Sequence, residues 1–498
     1  MTTKKSSRPS NLLIILSDEH NPKVMGWRGH AHIQTPHLDA LARQGTAFTQ
    51  AHCASPICVP ARAALATGRP IHETGYWDNV DGYDGRHTSW HHVLRDRGHE
   101  VVSIGKLHYR GHAGDDYGWS QSLLPMHIHE GRGEPRMLLR NPPCSIGDGA
   151  NMLRSAQAGS SDYNRYDDAI GAAAQQWLQD KSHHTPAEKP WVLMVSLVAP
   201  HFPLTVPQPW FDMYSHLPLT LPKGYVFGVD NQAHPFIQAY ARHSGYNLHF
   251  KTEADVRRAL SGYFGLVSFL DDKVGQLLRT LDETGLADNT RVMYLSDHGD
   301  NTGARGLWGK STMYEESVGI PMILKGAGIA AGQQVDVPVS HLDIYPTVLD
   351  CVGIDVDTRA DQASAPDNTA TPLRSQSLLG PLDVDRLTLA QYHTVGSTSA
   401  VFMLRNRQFK YVHYVDHPPQ LFDLAADPEE MNDLGQQAPF QPLVRQWSDR
   451  LHGLLDPVQV DQSAKARQAE LIEALGGEAA IRQGQSMGGF TPAPHKLP

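Results

Sequence analysis

Cysteine is scarce in this 498-residue sequence, which contains only Cys53, Cys58, Cys144 and Cys351. They are scattered through a long chain and none forms a Cys-x-x-Cys pair, which argues against a disulfide framework and against structural zinc. Positive charge is also in deficit, with 43 Lys and Arg against 53 Asp and Glu and a net charge of -10. This balance argues against nucleic acid or an anionic membrane as a partner.

Long hydrophobic runs are missing as well. The apolar run at residues 12–16 is too short for the core of a signal peptide, and no other stretch approaches the length of a membrane span. We therefore expect a soluble, cytoplasmic protein without a membrane partner. The content of 40% hydrophobic and 19% charged residues is typical of a globular enzyme.

The chain is longer than one ordinary hydrophobic core requires, which predicts more than one domain. A segment rich in Asp, Ala and Thr at residues 355–368 is typical of a linker. We predict a catalytic domain over residues 1–375, a C-terminal subdomain over residues 376–475 and an extended tail over residues 476–498.

Buried strands alternate with helices through the first part of the chain. Strands are predicted at residues 11–16, 100–104, 191–198, 291–296 and 320–324, and helices at residues 36–43, 61–67, 89–97, 163–180, 253–284 and 343–352. The strands are continuous apolar runs, as expected where both faces of a sheet are covered. The pattern predicts an α/β fold with a mostly parallel sheet flanked by helices.

Two regions between these elements give weaker signals. Residues 111–159 are rich in Gly, Pro and His and are interpreted as a long irregular insertion, and residues 207–248 give no clear element. Beyond the linker, strands are predicted at residues 387–392, 400–404, 411–415 and 420–424, followed by helices at residues 443–455 and 464–475. This part predicts a smaller α+β subdomain with an antiparallel sheet.

The most informative stretch is Cys58-Val59-Pro60-Ala61-Arg62, followed by Ala/Leu-rich sequence up to Thr67-Gly68-Arg69. Pro60 is well suited to a helix start and Gly68 to its end. Cys58 would then lie at a helix N-terminus, where the helix dipole favours negative charge. The alternative is a small buried thiol that only packs beneath the helix.

Further polar side chains follow the predicted strands. They are Asp18 and Glu19, Lys106 and His108, His201, and Asp297 and His298, with Lys310 a little further on. Because ligands bind at the carboxyl ends of parallel strands, we expect these side chains to converge. Carboxylates and an imidazole can hold a metal, and nearby cations can bind an anion, which together suit a tetrahedral oxyanion ester.

The order of these motifs resembles that of the sulfatases of the alkaline phosphatase superfamily. The shared motifs are Ser17-Asp18, Cys58-x-Pro60-x-Arg62, Gly105-Lys106-x-His108, Pro200-His201, Ser296-Asp297-His298-Gly299 and Lys310. The resemblance extends to about residue 435, where Leu421-Phe422-Asp423-Leu424 is similar to the C-terminal motif of the family. Within the family, the motifs most resemble the branch of choline sulfatases and phosphonate monoester hydrolases.

The resemblance implies an alkaline-phosphatase-like fold and hydrolysis of alkyl or aryl sulfate monoesters. A maturation enzyme would convert Cys58 to formylglycine, whose hydrate is the nucleophile. Asp18, Asp297, His298 and the oxygen on residue 58 would hold one divalent metal. Arg62 and Lys106 would stabilise the modified residue and the anion, His201 and Lys310 would contact the ester oxygens, and His108 would accept the proton that releases sulfate. The branch also implies a homo-oligomer, a dimer or tetramer.

Several alternatives stay open from the sequence. Many sulfatases have Asp-Asp and Asp-Asn where this chain has Asp18-Glu19 and Asp297-His298, so Glu19 is either a ligand or a neighbour of one. The imidazole leaves Ca²⁺ and Mn²⁺ both open. Asn79 and Trp119 are further substrate-binding candidates. The same site could act on phosphonate monoesters or phosphodiesters, or the protein could bind a metal without catalysis.

Overall fold

The fold is built from one large sheet and one small sheet, as seen in a computed structural model that describes residues 9–144, 149–183, 188–230, 232, 234–355, 375–484 and 491–494. The strands are β1 (Asn11–Asp18), β2 (Thr46–Phe48), β3 (Ala51–His52), β4 (Val101–Lys106), β5 (Gln121–Met126), β6 (Gln157–Ala158), β7 (Val192–Pro200), β8 (Thr205–Val206), β9 (Thr290–Ser296), β10 (Met322–Lys325), β11 (Gln333–Val335), β12 (Val339–Ser340), β13 (Thr388–Tyr392), β14 (Val401–Arg405), β15 (Phe409–Tyr414) and β16 (His417–Asp423).

Helices lie on both faces of the large sheet and, in the C-terminal part of the chain, against the small sheet. They are α1 (Pro36–Gln44), α2 (Cys58–Thr67), α3 (Ile71–Thr74), α4 (Trp90–Asp96), α5 (Gly149–Ser155), α6 (Asp162–Ser182), α7 (Gln208–Ser215), α8 (Pro235–Ser244), α9 (Glu253–Glu283), α10 (Glu315–Val318), α11 (Ile344–Cys351), α12 (Gln441–His452), α13 (Pro457–Ala474) and α14 (Glu478–Gln483).

The large sheet has eight strands in the order β11-β2-β10-β9-β1-β7-β4-β5. Strands β9, β1, β7, β4 and β5 are parallel to one another, whereas β10 is antiparallel to both β9 and β2. Leu13 of β1 is opposite Leu193 on one side and Val292 on the other. Every residue of β1, β7 and β9 is buried, which explains their continuous apolar runs. The predicted mostly parallel α/β fold is therefore confirmed.

Some elements were not predicted. Strand β5 lies within the predicted irregular insertion, so that interpretation is wrong for this segment. It is an exposed edge strand of sequence Gln-Ser-Leu-Leu-Pro-Met, and an edge strand with a solvent-facing side needs no apolar run. Helices α7 and α8 lie within residues 207–248, where aromatic and proline residues obscured the helical spacing. The predicted linker falls almost entirely outside the described residues.

Helix α2 begins at Cys58, three residues before the predicted start. Pro60 lies in its first turn, where a missing N–H costs no hydrogen bond. Gly68 ends the helix with a φ of 66°, and its N–H donates to the carbonyl of Ala64. All residues of α2 are buried, so the helix is fixed from all sides with Cys58 at its N-terminus.

The C-terminal strands β13–β16 form a four-stranded antiparallel sheet, as the sequence predicted. This sheet packs directly on the first part of the chain, since Tyr392 and Met403 belong to the same buried apolar cluster as Leu12 and Ile14. The N–H of Gln391 also donates to the carbonyl of Ala54 at 2.9 Å. Among the described residues, the long helices are all too polar to span a bilayer.

Candidate active site

Four neighbouring parallel strands deliver polar side chains to one edge of the large sheet. Asp18 ends β1, Lys106 ends β4, His201 follows β7, and Asp297-His298 follow β9. Since these strands lie side by side in the order β9-β1-β7-β4, their carboxyl ends meet. The convergence predicted from the sequence is thus what the structure shows.

Cys58 lies at the centre of this group and is 1% exposed. Its Sγ is 3.2 Å from the Nε2 of His298 and 3.3 Å from the Nζ of Lys310. Asp18 Oδ1 lies 3.9 Å from the same sulfur. Burial, followed by the charge of Asp18, raises the pKa of the thiol to about 11. The side chain therefore sits among charged groups, and its unmodified thiol is protonated at neutral pH.

Asp18, Cys58, Asp297 and His298 form a group suited to a metal ion. One ligand atom from each lies within 4.8 Å of the others. His298 Nδ1 is 3.0 Å from the carbonyl of Gly299, which as an acceptor places the ring hydrogen on Nδ1. The lone pair of Nε2 then faces the carboxylates. Two carboxylates and an imidazole suit a divalent cation, and they leave Ca²⁺ and Mn²⁺ both open.

Arg62, one turn into α2, ties the two aspartates together. Its Nε donates to Asp297 Oδ2 at 2.8 Å and its Nη2 to Asp18 Oδ2 at 2.9 Å. Nη1 donates to the carbonyl of Lys106 at 2.6 Å and to Ser196 Oγ at 3.0 Å. The guanidinium is 2% exposed and all its bonds are internal to the site. Arg62 therefore orients the carboxylates from behind, and it does not line the cavity.

Two lysines bring positive charge to the cavity side. Lys106 Nζ is 2.5 Å from Asp18 Oδ2, and Lys310 Nζ is 2.9 Å from Glu19 Oε2. Burial alone would raise the pKa of Asp18, but Lys106, His201, Arg62 and Lys310 hold it well below its usual range. Asp18 is therefore ionised, as a metal ligand must be.

Glu19 and His201 contact each other and lie close to Asp18. Glu19 Oε2 lies 3.2 Å from His201 Nε2, and Asp18, Glu19 and His201 form a second group with ligand atoms close together. Burial raises the pKa of Glu19 to about 8, although the charge of Lys310 opposes the shift. Glu19 has a φ of 69°, a strained value for a residue with a side chain. Its carboxylate lines the cavity beside Lys310.

His108 also has a positive φ, of 55°, and lies in the cavity wall. Burial, with the charges of Lys106 and Arg62, lowers its pKa well below the ordinary imidazole value. Its Nε2 is 2.8 Å from the Oγ1 of Thr491, a residue of the predicted tail. The tail thus reaches the site within this chain, and Tyr163 holds it through a hydrogen bond to the carbonyl of Thr491.

The two remaining candidates differ in position. Asn79 lines the cavity, and its Oδ1 accepts a hydrogen bond from the N–H of Val59 at 2.9 Å, in the first turn of α2. Trp119 lies elsewhere: its ring stacks on His91 with centroids 4.1 Å apart and packs edge-on against Trp90. Trp119 is not among the residues that line the cavity, so its role in substrate binding stays a prediction. Nothing in the sequence around Trp119 indicated that its ring packs against His91 and Trp90.

A cavity of about 530 Å³ opens from Cys58 toward the surface. The lining residues that sequence reasoning missed include Met137, Met152, Phe202, Tyr240, Tyr246 and Thr491. Phe202 could have been found, since it follows His201 directly. The two tyrosines come from the aromatic-rich region without a predicted element, and the two methionines from the region interpreted as an irregular insertion.

Comparison with known proteins agrees with this geometry. The sulfatase family model matches residues 10–354, and the model of the C-terminal region of N-sulphoglucosamine sulphohydrolase matches residues 303–456. A choline-sulfatase of Rhizobium meliloti (strain 1021) is 32% identical over 88% of this chain and 83% of its own length. Arylsulfatase K of Bos taurus is 27% identical over 91% and 83% respectively.

Solved structures show the same fold. A phosphonate monoester hydrolase of Silicibacter pomeroyi has a TM-score of 0.69 at 22% identity and covers 89% of this chain and 94% of its own. That of Agrobacterium radiobacter has a TM-score of 0.66 at 20% identity, with coverage of 93% and 96%. The match to the sulfatase family model extends over most of the chain. The chain belongs to the sulfatase family of the alkaline phosphatase superfamily and is a sulfuric ester hydrolase.

Proposed function

We propose that the protein hydrolyses alkyl or aryl sulfate monoesters, with residue 58 as the nucleophile after its thiol has been converted to formylglycine. The observation that carries this proposal is the position of Cys58. Its Sγ lies at a helix N-terminus between His298 and Lys310, with Asp18 close by. A merely structural cysteine would have apolar neighbours instead.

The metal would be held by Asp18, Asp297, His298 and the oxygen on residue 58, and as a Lewis acid it would polarise a sulfate oxygen. Around it, Arg62 keeps the carboxylates in place. Lys106 neutralises charge on the sulfate, and Lys310 and His201 contact the ester oxygen, where Lys310 can donate a proton to the departing alcohol. These fixed cations offset the charge that develops in the transition state.

Release of sulfate requires a base. One hydroxyl of the hydrated aldehyde gives up its proton and attacks sulfur, the S–O bond to the alcohol breaks, and the alcohol leaves with one proton, so that the number of protons is unchanged. The neutral His108 then accepts the proton of the second hydroxyl, the C–O bond to sulfate breaks, and the aldehyde is restored. Splitting the reaction in this way gives two easier steps, as in other covalent mechanisms. The depressed pKa of His108 keeps it unprotonated and able to accept this proton.

The test compares the parent protein with the variants Cys58→Ala and Cys58→Ser, using 4-nitrophenyl sulfate. Intact-protein mass first measures the fraction of aldehyde, because conversion lowers the mass by about 18 Da. We expect activity in proportion to that fraction and none in Cys58→Ala. Equal hydrolysis by Cys58→Ala would overturn the assignment, and a fully converted protein without activity would favour a metal-binding, non-catalytic role.

A second candidate function is hydrolysis of phosphonate monoesters or phosphodiesters at the same site. It is favoured by Lys106 and Lys310, which line the same cavity as Cys58, because such cations bind any tetrahedral oxyanion. A paired aryl sulfate and aryl phosphonate, assayed on one preparation, separate the two functions. A larger kcat/KM for the phosphonate would replace the sulfate assignment.

The proposal includes two protein partners. A formylglycine-generating enzyme must act on the chain before it folds, since Cys58 is 1% exposed in the folded protein. A homo-oligomer, a dimer or tetramer, is proposed from the resemblance to its branch of the family. Co-expression with and without such a maturation enzyme, and light scattering of the purified protein, test these two points.

A further inference from the structure

We infer that the cavity beside residue 58 accepts a large apolar alcohol and disfavours a cationic alcohol such as choline. The rings of Phe202, Tyr240 and Tyr246, together called the aromatic wall, make this selection. The inference rests on the proposed sulfate ester hydrolysis, because it concerns the leaving group of that reaction.

Two rings of the aromatic wall lie against the residues that contact the ester oxygen. The ring of Phe202 stacks on the imidazole of His201, with centroids 4.4 Å apart and an interplanar angle of 29°. Lys310 Nζ is 6.0 Å from the centroid of the same ring. The hydroxyl of Tyr240 donates to the carbonyl of Lys310 at 2.6 Å. An alcohol leaving between His201 and Lys310 therefore meets ring surfaces first.

The third ring, that of Tyr246, lies across Gly309 from the carboxylate of Glu19. A Cβ added to Gly309 would lie 3.7 Å from both Glu19 Oε1 and Tyr246 Cε2. Gly309 has a φ of 67°, which favours glycine, so this part of the wall keeps its space open. Beyond it the cavity is lined by the buried Met137 and Met152, whose flexible side chains adapt to varied apolar shapes.

The charges near the aromatic wall disfavour a cation. The carboxylate of Glu19, which lies beside Tyr246 across Gly309, already contacts Lys310 at 2.9 Å and His201 at 3.2 Å. A quaternary ammonium held by the rings would lie close to the Lys310 ammonium, so that like-charge repulsion opposes the cation–π attraction. A neutral alcohol of the same shape keeps the apolar contacts without this repulsion.

The volume of the cavity also favours a large apolar alcohol. A volume of about 530 Å³ is within the range of about 300–1,000 Å³ typical of sites for drug-sized ligands. A sulfate group with a two-carbon alcohol would leave much of the wall in contact with water. A two-ring alcohol would displace that water and bury apolar surface, which is favourable.

The experiment uses two matched pairs of substrates on one aldehyde-containing preparation, so that ratios do not depend on the active fraction. The first pair is choline sulfate and 3,3-dimethylbutyl sulfate, in which carbon replaces nitrogen without changing the shape. The second pair is phenyl sulfate and 2-naphthyl sulfate. We expect a lower KM for the neutral isostere, and a kcat/KM about tenfold larger for the naphthyl ester. KM is decisive for the first pair because the ammonium also makes choline the better leaving group.

The variant Tyr246→Leu removes one ring of the wall and should bring the naphthyl to phenyl ratio close to one. If it does not fold, Met152→Ala tests the same wall further from the chemistry. Phe227→Leu is the matched control, since Phe227 is 39% exposed and outside the cavity, and its ratio should equal that of the parent. A lower KM for choline sulfate, or an unchanged ratio in both wall variants, would overturn the inference. Failure to hydrolyse any of the four esters would overturn the proposed function instead.

Discussion

The Nζ of Lys310 lies 3.3 Å from the Sγ of Cys58, although 252 residues separate them in the chain. The same Nζ contacts Glu19 Oε2 at 2.9 Å. Lys310 thus joins the nucleophile position to the carboxylate of Glu19, the residue that follows β1. This contact makes it the cation best placed to act on an ester oxygen above residue 58.

Replacement of Lys310 should therefore affect chemistry more than binding. We expect Lys310→Ala to lower kcat for 4-nitrophenyl sulfate by about 10²–10³-fold, the usual cost of losing one preorganised transition-state contact. Steady-state kinetics on preparations with matched aldehyde content measure this. The control is Lys465→Ala, on the surface of α13, which should match the parent. An unchanged kcat in Lys310→Ala would remove it from the mechanism.

His108 should control sulfate release. In His108→Gln, residue 58 can still be sulfated, but the base that expels sulfate is lost, so the sulfated protein should accumulate after mixing with substrate. Intact-protein mass detects it as the addition of one SO₃ group. Thr491→Val removes only the hydrogen bond to His108 Nε2 and should slow turnover severalfold without such accumulation. Absence of a sulfated species in His108→Gln would contradict this role.

The pH dependence follows from the same residue. Because burial and the charges of Lys106 and Arg62 lower the pKa of His108, the imidazole stays neutral as the pH falls through 6.5. Protonation, which would abolish its role as a base, occurs only at more acidic pH. We expect kcat to stay level from pH 8 to below pH 6.5 and then to decline. A decline centred at or above pH 6.5 would contradict it.

Arg62 should matter for stability as well as activity. Arg62→Ala leaves Asp18 and Asp297 buried without their partner, and breaking a buried ion pair in this way costs about 3–5 kcal/mol. The free energy of unfolding in urea, measured in the presence of a chelator, tests this. Arg165→Ala is the control, since its exposed pair with Asp162 should contribute only about 0.2–1 kcal/mol. Equal losses in the two variants would be inconsistent with the ion pairs seen here.

Metal removal should reduce thermal stability and activity together. We expect EDTA to lower the melting temperature, and Mn²⁺ or Ca²⁺ to restore it. His298→Asn, which replaces the imidazole by an amide oxygen, should shift the preference toward Ca²⁺. Thermal melts with each ion measure this independently of turnover, and the exposed His452→Asn serves as control. Identical ion preferences in His298→Asn and the parent would exclude His298 as a ligand.

Much of the fold could be predicted because the buried strands carry a strong local signal. Strands β1, β7 and β9 are fully buried and mostly apolar, since helices cover both faces of the sheet. The edge strand β5 lacks that signal because solvent contacts part of it. The antiparallel direction of β10 was also not predicted, since direction depends on how the chain returns to the sheet.

The candidate site, like the fold, could be predicted only in part. Asp18, Lys106, His201 and Asp297 could be assigned to one edge because they follow predicted strands. Trp119 could not be placed, because only its packing on His91 separates a structural ring from a binding one. The aromatic wall and Thr491 come from segments without a clear local pattern, and their position depends on contacts between distant parts of the chain.

The sequence by itself therefore determined the strand and helix rhythm, the motif at Cys58 and the chemical types of the groups at the strand ends, because these depend on local spacing. Only the tertiary structure decided which of those groups touch, that Arg62 does not line the cavity, and that the aromatic wall does. These contacts depend on the packing of segments hundreds of residues apart, so they cannot be predicted from local sequence.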